Sequence, residues 1–192
     1  MVDEDEYKNS TDKNLVEFAK GILASNRKNA TQRLYVIGEV SNNAAQDIEK
    51  LTGINVSEFE HVIDGGHIGH IDKRHGELGE ADQSMKDPED IGRVKYVLDN
   101  YDNVQLSEDS NSQYKNSDGT PAKIVQYTKR INGNYYVIEA IPDTKNNKLR
   151  VVSVYKTKAG TEHNENRSAV YVQNASATNN IQTFQPSDTS SL

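Results

Sequence analysis

Asn132-Gly133 separates two runs of β-forming residues, KIVQYTKR from Lys123 and YYVIEAI from Tyr135. Asn-Gly is the dipeptide that best tolerates the positive φ angles of a tight hairpin turn, so the two runs predict antiparallel strands joined at this point. A third run, LRVVSVYKT, follows the turn segment Asp143 to Lys148, and three such strands in succession form a meander. Strict alternation puts Leu149, Val151, Ser153, Tyr155 and Thr157 on one face of the last strand. Arg150, Val152, Val154 and Lys156 take the other face. A ribbon of this kind buries its apolar side only if other elements cover it, and these must come from upstream.

Upstream the period changes to that of helices. Leu15, Phe18, Ala19, Ile22 and Leu23 recur at helical spacing between Asn14 and Ser25. Arg33 to Val40 is short and rich in β-formers, and Ser41 then caps a helix that Gly53 closes. Phe59 to Ile63 alternates like a strand, with His61 reading as a hydrogen-bonded core residue. Asp87-Pro88 opens another helix, carrying Ile91, Val94, Val97 and Leu98 to about Asn100. Ser107 to Thr120 is acidic and polar, a long loop. The fold class is therefore α+β: N-terminal helices packed on a small antiparallel β-sheet that ends in a C-terminal three-stranded meander.

The length of 192 residues suits one domain, and 34% hydrophobic residues with a mean hydropathy of −0.83 leave room for solvated ends. We expect a disordered acidic segment over residues 1–12, one domain over 13–173 and a disordered polar tail over 174–192. The chain has no cysteine, which excludes disulfides and thiolate metal sites. No apolar run approaches the ~20 residues of a membrane span, and the acidic start is unlike a signal peptide, so the sequence predicts a soluble chain with no membrane partner. The compartment, cytoplasm or virion, is left open. A net charge of −7 opposes broad attraction to nucleic acid, so any such contact must be local.

Local chemistry is concentrated at Asp64-Gly-Gly-His67-Ile-Gly-His70-Ile-Asp-Lys73-Arg74-His75-Gly76, which holds three of the five histidines. Histidine takes and gives a proton near neutrality, and cations beside it suit an anionic substrate. Asp64 is placed to cap a helix here, and Gly76 to end it in the left-handed conformation. At about 100° per residue, Ile68, Ile71 and His75 share one side. His67, His70 and Arg74 form an adjoining stripe, where a phosphate can be bound and a proton moved. His75 and Gly76 read as structural, and Ser153, Tyr155 and Thr157 are placed to line a cleft with this helix.

LYVIGEVS, the His-x-x-His-Ile-x-Lys-Arg-His-Gly helix, the Pro-Glu-Asp-Ile helix and three strands ending near Val-Tyr-Lys together resemble the phage-associated branch of the barnase, EndoU, colicin and RelE-like nucleases. The resemblance covers about residues 33 to 158. It implies metal-independent cleavage of RNA, with no cofactor, in a phage or mobile-element toxin or effector whose partners are RNA and an immunity or phage protein. Carried onto matching positions it implies His67, His70, Lys73 and His75 from the helix and Ser153, Tyr155 and Lys156 from the last strand. With the helix and strand faces, the expectation is catalysis by His67, His70, Tyr155 and Lys156, and substrate contacts from Lys73, Arg74, Ser153 and Thr157. One histidine would take the proton of the ribose 2′-hydroxyl and a second would protonate the leaving 5′-oxygen, giving a 2′,3′-cyclic phosphate. Two other readings stay open. His67, His70 and His75 are spaced as zinc ligands sometimes are, without a cysteine or an HExxH pattern. The histidines of a non-catalytic interaction module would only support the fold.

Overall fold

In the computed structural model the Asn-Gly turn holds Asn132 at φ 49° and Gly133 at φ 129°, the left-handed values that closing the hairpin needs. The structure describes residues 4–25, 30–107, 114–141, 146–158 and 171–173. The polar tail from 174, residues 108–113 of the acidic loop and residues 143–145 of the Asp143 to Lys148 turn lie outside them.

Elements run α1 (Glu4–Asn9), α2 (Lys13–Ala24), β1 (Leu34–Glu39), α3 (Asn42–Thr52), β2 (Glu60–Asp64) and α4 (Gly65–His75). After these come α5 (Glu89–Gly92), α6 (Val94–Asn100), β3 (Asn103–Leu106), β4 (Lys123–Arg130), β5 (Gly133–Ile141), β6 (Lys148–Lys158) and β7 (Tyr171–Gln173). The fold is α+β, but the sheet departs from expectation. Among the described residues seven strands join one sheet in the order β1-β2-β6-β5-β4-β3-β7. The meander β4-β5-β6 sits at its centre, and β2 pairs with β6 in parallel, so the sheet is mixed. A parallel neighbour needs a long crossover, which the connections from β2 through to β6 supply.

A bulge sets the face of every residue near the end of β6. Ile138 pairs with Ser153 but Glu139 with Val151, which leaves Val152 as the extra residue. Alternation therefore shifts by one. Val154 joins Leu149 and Val151 in the main core, while Ser153 and Tyr155 turn to the opposite face with Val152. The helices supply Leu15, Ile22, Ala44, Ile48, Ile68, Ile71, Val94 and Val97 to that core, against Ile63, Tyr127, Val137 and Leu149 of the strands. Among the described residues the other sheet face carries a small cluster, Ile124, Ala140 and Val152, against which Tyr114 and Ile138 pack.

His61 is a core residue, with Nδ1 2.8 and 3.0 Å from the two oxygens of fully buried Glu139. The disordered acidic segment expected over residues 1–12 is not what 4–12 show. Glu4–Asn9 is helical and Tyr7 is buried edge-on against Tyr96 and Tyr135, with Arg93 over its ring. One large aromatic in a charged run is enough to dock a short helix, since its ring area outweighs the segment's polarity. The helix expected from Asp87 to Asn100 divides at Arg93 into α5 and α6.

Candidate active site

Helix α4 starts where β2 ends, and Asp64 makes the join. Its Oδ1 accepts from the His67 backbone N–H at 2.9 Å and lies 2.8 Å from His67 Nδ1, while Oδ2 receives Arg150 of β6. Burial alone would raise the Asp64 carboxyl, but the hydrogen bonds and charge of His67, with Arg150, outweigh it and hold the group down at about 2. An ionised carboxylate has no proton to give, so the ring N–H at Nδ1 donates. That tautomer leaves Nε2 as the acceptor in neutral His67. The Tyr114 hydroxyl stands 3.2 Å from it, and the two rings lie 5.6 Å apart at 41°.

The geometry thus gives a carboxylate that orients an imidazole, an arginine fixed to the same carboxylate, and the far imidazole nitrogen directed at a hydroxyl. Arg150 keeps 41% of its side-chain surface exposed. Asp64 and Arg150 both belong to the sheet face opposite the main core, because Arg150 registers with Val62 and Asp64 lies two residues beyond on that strand.

His70, one turn along from His67, is exposed. Partial burial, then the positive charge of His67, Arg74, His75 and Lys73, lowers its pKa below the ordinary 6.5. His75 ends the helix. Its Nδ1 meets Asp82 at 2.9 Å and its ring stacks on Tyr155 at 5.3 Å, with Tyr155 stacked in turn on Tyr136 at 4.8 Å. The eight positions from His67 to His75 put those rings about 12 Å apart along the helix axis, too far to act on one phosphate.

The other expected site residues scatter. Lys156 goes to the core face, where Nζ pairs with buried Asp90 beside Arg93, so it does not share a groove with the histidines. The bulge is the reason, since it reverses the face of everything after Val152. Tyr155 is covered on both ring faces by His75 and Tyr136. Lys73 and Arg74 are exposed and both reach Glu80, at 3.4 and 4.0 Å. Ser153 lies half-buried across from Ile138, and the Thr157 hydroxyl oxygen is buried with no hydrogen-bond partner among the described residues. Gly76 does not adopt the expected left-handed conformation: its φ is −73°. Glycine is needed there for a different reason, because a Cβ would lie 2.5 Å from the Asp72 carbonyl oxygen.

Asp64, Arg150 and Tyr114 are the site members that sequence reading did not assign. Asp64 was visible as a cap, three residues before a histidine, which is the spacing at which a cap side chain also meets the ring. Arg150 stands out as a charge inside an apolar strand. Tyr114 has no sequence signal. Among the described residues no three His, Cys, Asp or Glu side chains are arranged to hold a metal ion.

Residues 38–164, more than half of the chain, match the model of one family, described as phage-Barnase-EndoU-ColicinE5/D-RelE like nuclease3. The chain belongs to this nuclease family. The match spans β2, α4 and β6 and so contains Asp64, His67, His70, Tyr114 and Arg150. Neither the curated proteins nor the solved structures give a match. As a member of this family the nuclease takes a nucleic acid as its substrate. No helix among the described residues is long and apolar enough to cross a membrane.

Proposed function

We propose that this nuclease cleaves RNA without a metal ion, using His67 and His70 as its proton carriers and Arg150 to bind the scissile phosphate. The observation that carries the reading is the Asp64 carboxylate, which aligns His67 and Arg150 at once. Asp64 fixes the His67 ring so that Nε2 faces the substrate, and this is the nitrogen that passes a proton to the leaving 5′-oxygen. His70, whose pKa is lowered by partial burial and then by its cationic neighbours, is neutral over more of the physiological range and suits removal of the 2′-hydroxyl proton. The 2′-oxygen attacks phosphorus, the 5′-oxygen departs with the proton from His67, and a 2′,3′-cyclic phosphate remains. Arg150 offsets charge on the non-bridging oxygens.

In the free protein the Tyr114 hydroxyl fills the place beside Nε2 that a substrate oxygen takes during the reaction. Lys73 and Arg74 act at longer range, drawing phosphate to the helix. Tyr155, Ser153 and Thr157 support the groove rather than the proton path, and Lys156 belongs to the core. A phage or mobile-element effector held in check by an immunity protein is the setting that the family suggests.

The test is cleavage of a labelled oligoribonucleotide in EDTA by wild type, His67→Ala and His70→Ala. Each substitution should cost about 10²- to 10⁴-fold in rate, the range for a positioned proton carrier, with a cyclic phosphate as the wild-type product. Cleavage that stops in EDTA, or that survives both substitutions, refutes the proposal.

A further inference from the structure

Edge strand β1 is apolar on both faces. Ile37 is buried in the core and Tyr35 packs against Phe18, yet Leu34 and Val36 on the opposite face keep 40% and 46% of their surface exposed. An edge strand with water on one side ordinarily carries polar or charged residues there. The position of this pair gives the exposure a use. Leu34 registers with Asp64 and Val36 with Val62, and Val62 registers with Arg150. Directly opposed residues lie about 5 Å apart, and two strand spacings make about 10 Å, so the strip borders the Asp64, His67 and Arg150 cluster on its own sheet face.

We propose that Leu34 and Val36 form a nucleobase subsite, on which one unpaired base next to the scissile phosphate rests its flat face. The inference rests on the RNA-cleaving reading of the His67 site and narrows its substrate to single-stranded RNA. A phosphate on Arg150 sits at the border of the strip, and its flanking nucleotide is the group that reaches across it. Leucine and valine offer no donor or acceptor, so they bind the face of a base and not its edge, with little sequence preference. A duplex keeps that face stacked on its neighbours, which excludes it. The strip lies just before the segment that matches the family, which begins at Gly38.

The test is binding of a fluorescent, non-cleavable 2′-O-methyl oligoribonucleotide, single-stranded or annealed to its complement, at fixed ionic strength. The double variant Leu34→Thr/Val36→Thr places β-branched residues of high strand propensity at both positions and so should keep the wild-type thermal melt. It should bind the single strand about tenfold more weakly, the change expected from losing roughly 50–60 Å² of apolar contact, and raise KM for cleavable RNA by a similar factor with kcat nearly unchanged. The duplex should bind both proteins weakly and equally. Unchanged affinity for the single strand overturns the subsite, as does a wild type that binds no oligonucleotide. A variant that loses self-association in gel filtration while its affinity holds also overturns it, and makes the strip a contact between copies. The two proposals separate cleanly. His67-dependent cleavage with no affinity change sinks only the subsite, and an affinity loss without His67-dependent cleavage sinks only the catalytic reading.

Discussion

Asp64→Asn isolates the group on which both helix and site depend. Asparagine still caps a helix, so the start of α4 should persist, and what is lost is the charge that faces His67 and Arg150. The carboxyl falls from an ordinary 3.8 to about 2 on folding, and the group is 7% exposed. At about 1.4 kcal/mol per unit this is roughly 2 kcal/mol of stability at pH 7. The sign follows from the direction of the shift. A depressed folded pKa gives stability that is fully present above the unfolded value near 4 and is lost as pH falls toward 2. Urea unfolding of wild type and Asp64→Asn should therefore differ by about 2 kcal/mol at pH 7 and converge near pH 2. Activity should fall at least 10²-fold, because His67 loses the carboxylate that fixes its tautomer and ring orientation. Equal stability at pH 7, or a gap that does not close in acid, would show that the carboxylate is not held by its partners as described.

Four further outcomes are expected. The acid limb of kcat/KM should lie below pH 6.5, and Lys73→Ala/Arg74→Ala should move it upward by removing cations that disfavour His70 protonation, read from initial rates across pH. Lys156→Ala should cost about 2 kcal/mol in urea unfolding, since Asp90 keeps only Arg93, while kcat stays near wild type; a large fall in kcat would return Lys156 to the site. Glu139→Ala leaves the buried His61 Nδ1 without its hydrogen-bond partner and should cost about 1–3 kcal/mol by the same assay. Gly76→Ala forces a methyl against the Asp72 carbonyl and should cost about 1–3 kcal/mol; a neutral result would mean that the turn after α4 yields easily.

Local signals carried far in this chain. The hairpin at Asn132-Gly133, the helix between Ser41 and Gly53 and the cap at Asp64 are each set by residues a few positions apart, and each forms as its chemistry dictates. What was not legible is non-local. The parallel contact of β2 with β6 leaves no mark in either strand. The bulge at Val152 depends on how β5 and β6 align, so unbroken alternation wrongly grouped Tyr155 with Leu149 and hid that Lys156 faces the core. The site shared this divide. His67 was evident from composition and spacing. Tyr114, which meets His67, and Arg150, which meets Asp64, come from positions 47 and 86 residues away, and only the folded sheet brings them in.

The parallel pairing of β2 with β6 also dictates when the proposed centre comes into being. Asp64 and Arg150 are separated by 86 residues, and closing so wide a span is entropically costly and slow compared with forming α4. A nascent chain emerging from the ribosome has His67 and its cap long before β6 is synthesised. If the proposed centre is the catalytic one, activity is a late event of biogenesis, absent from truncated or half-folded molecules and gained only after the whole sheet has zipped shut.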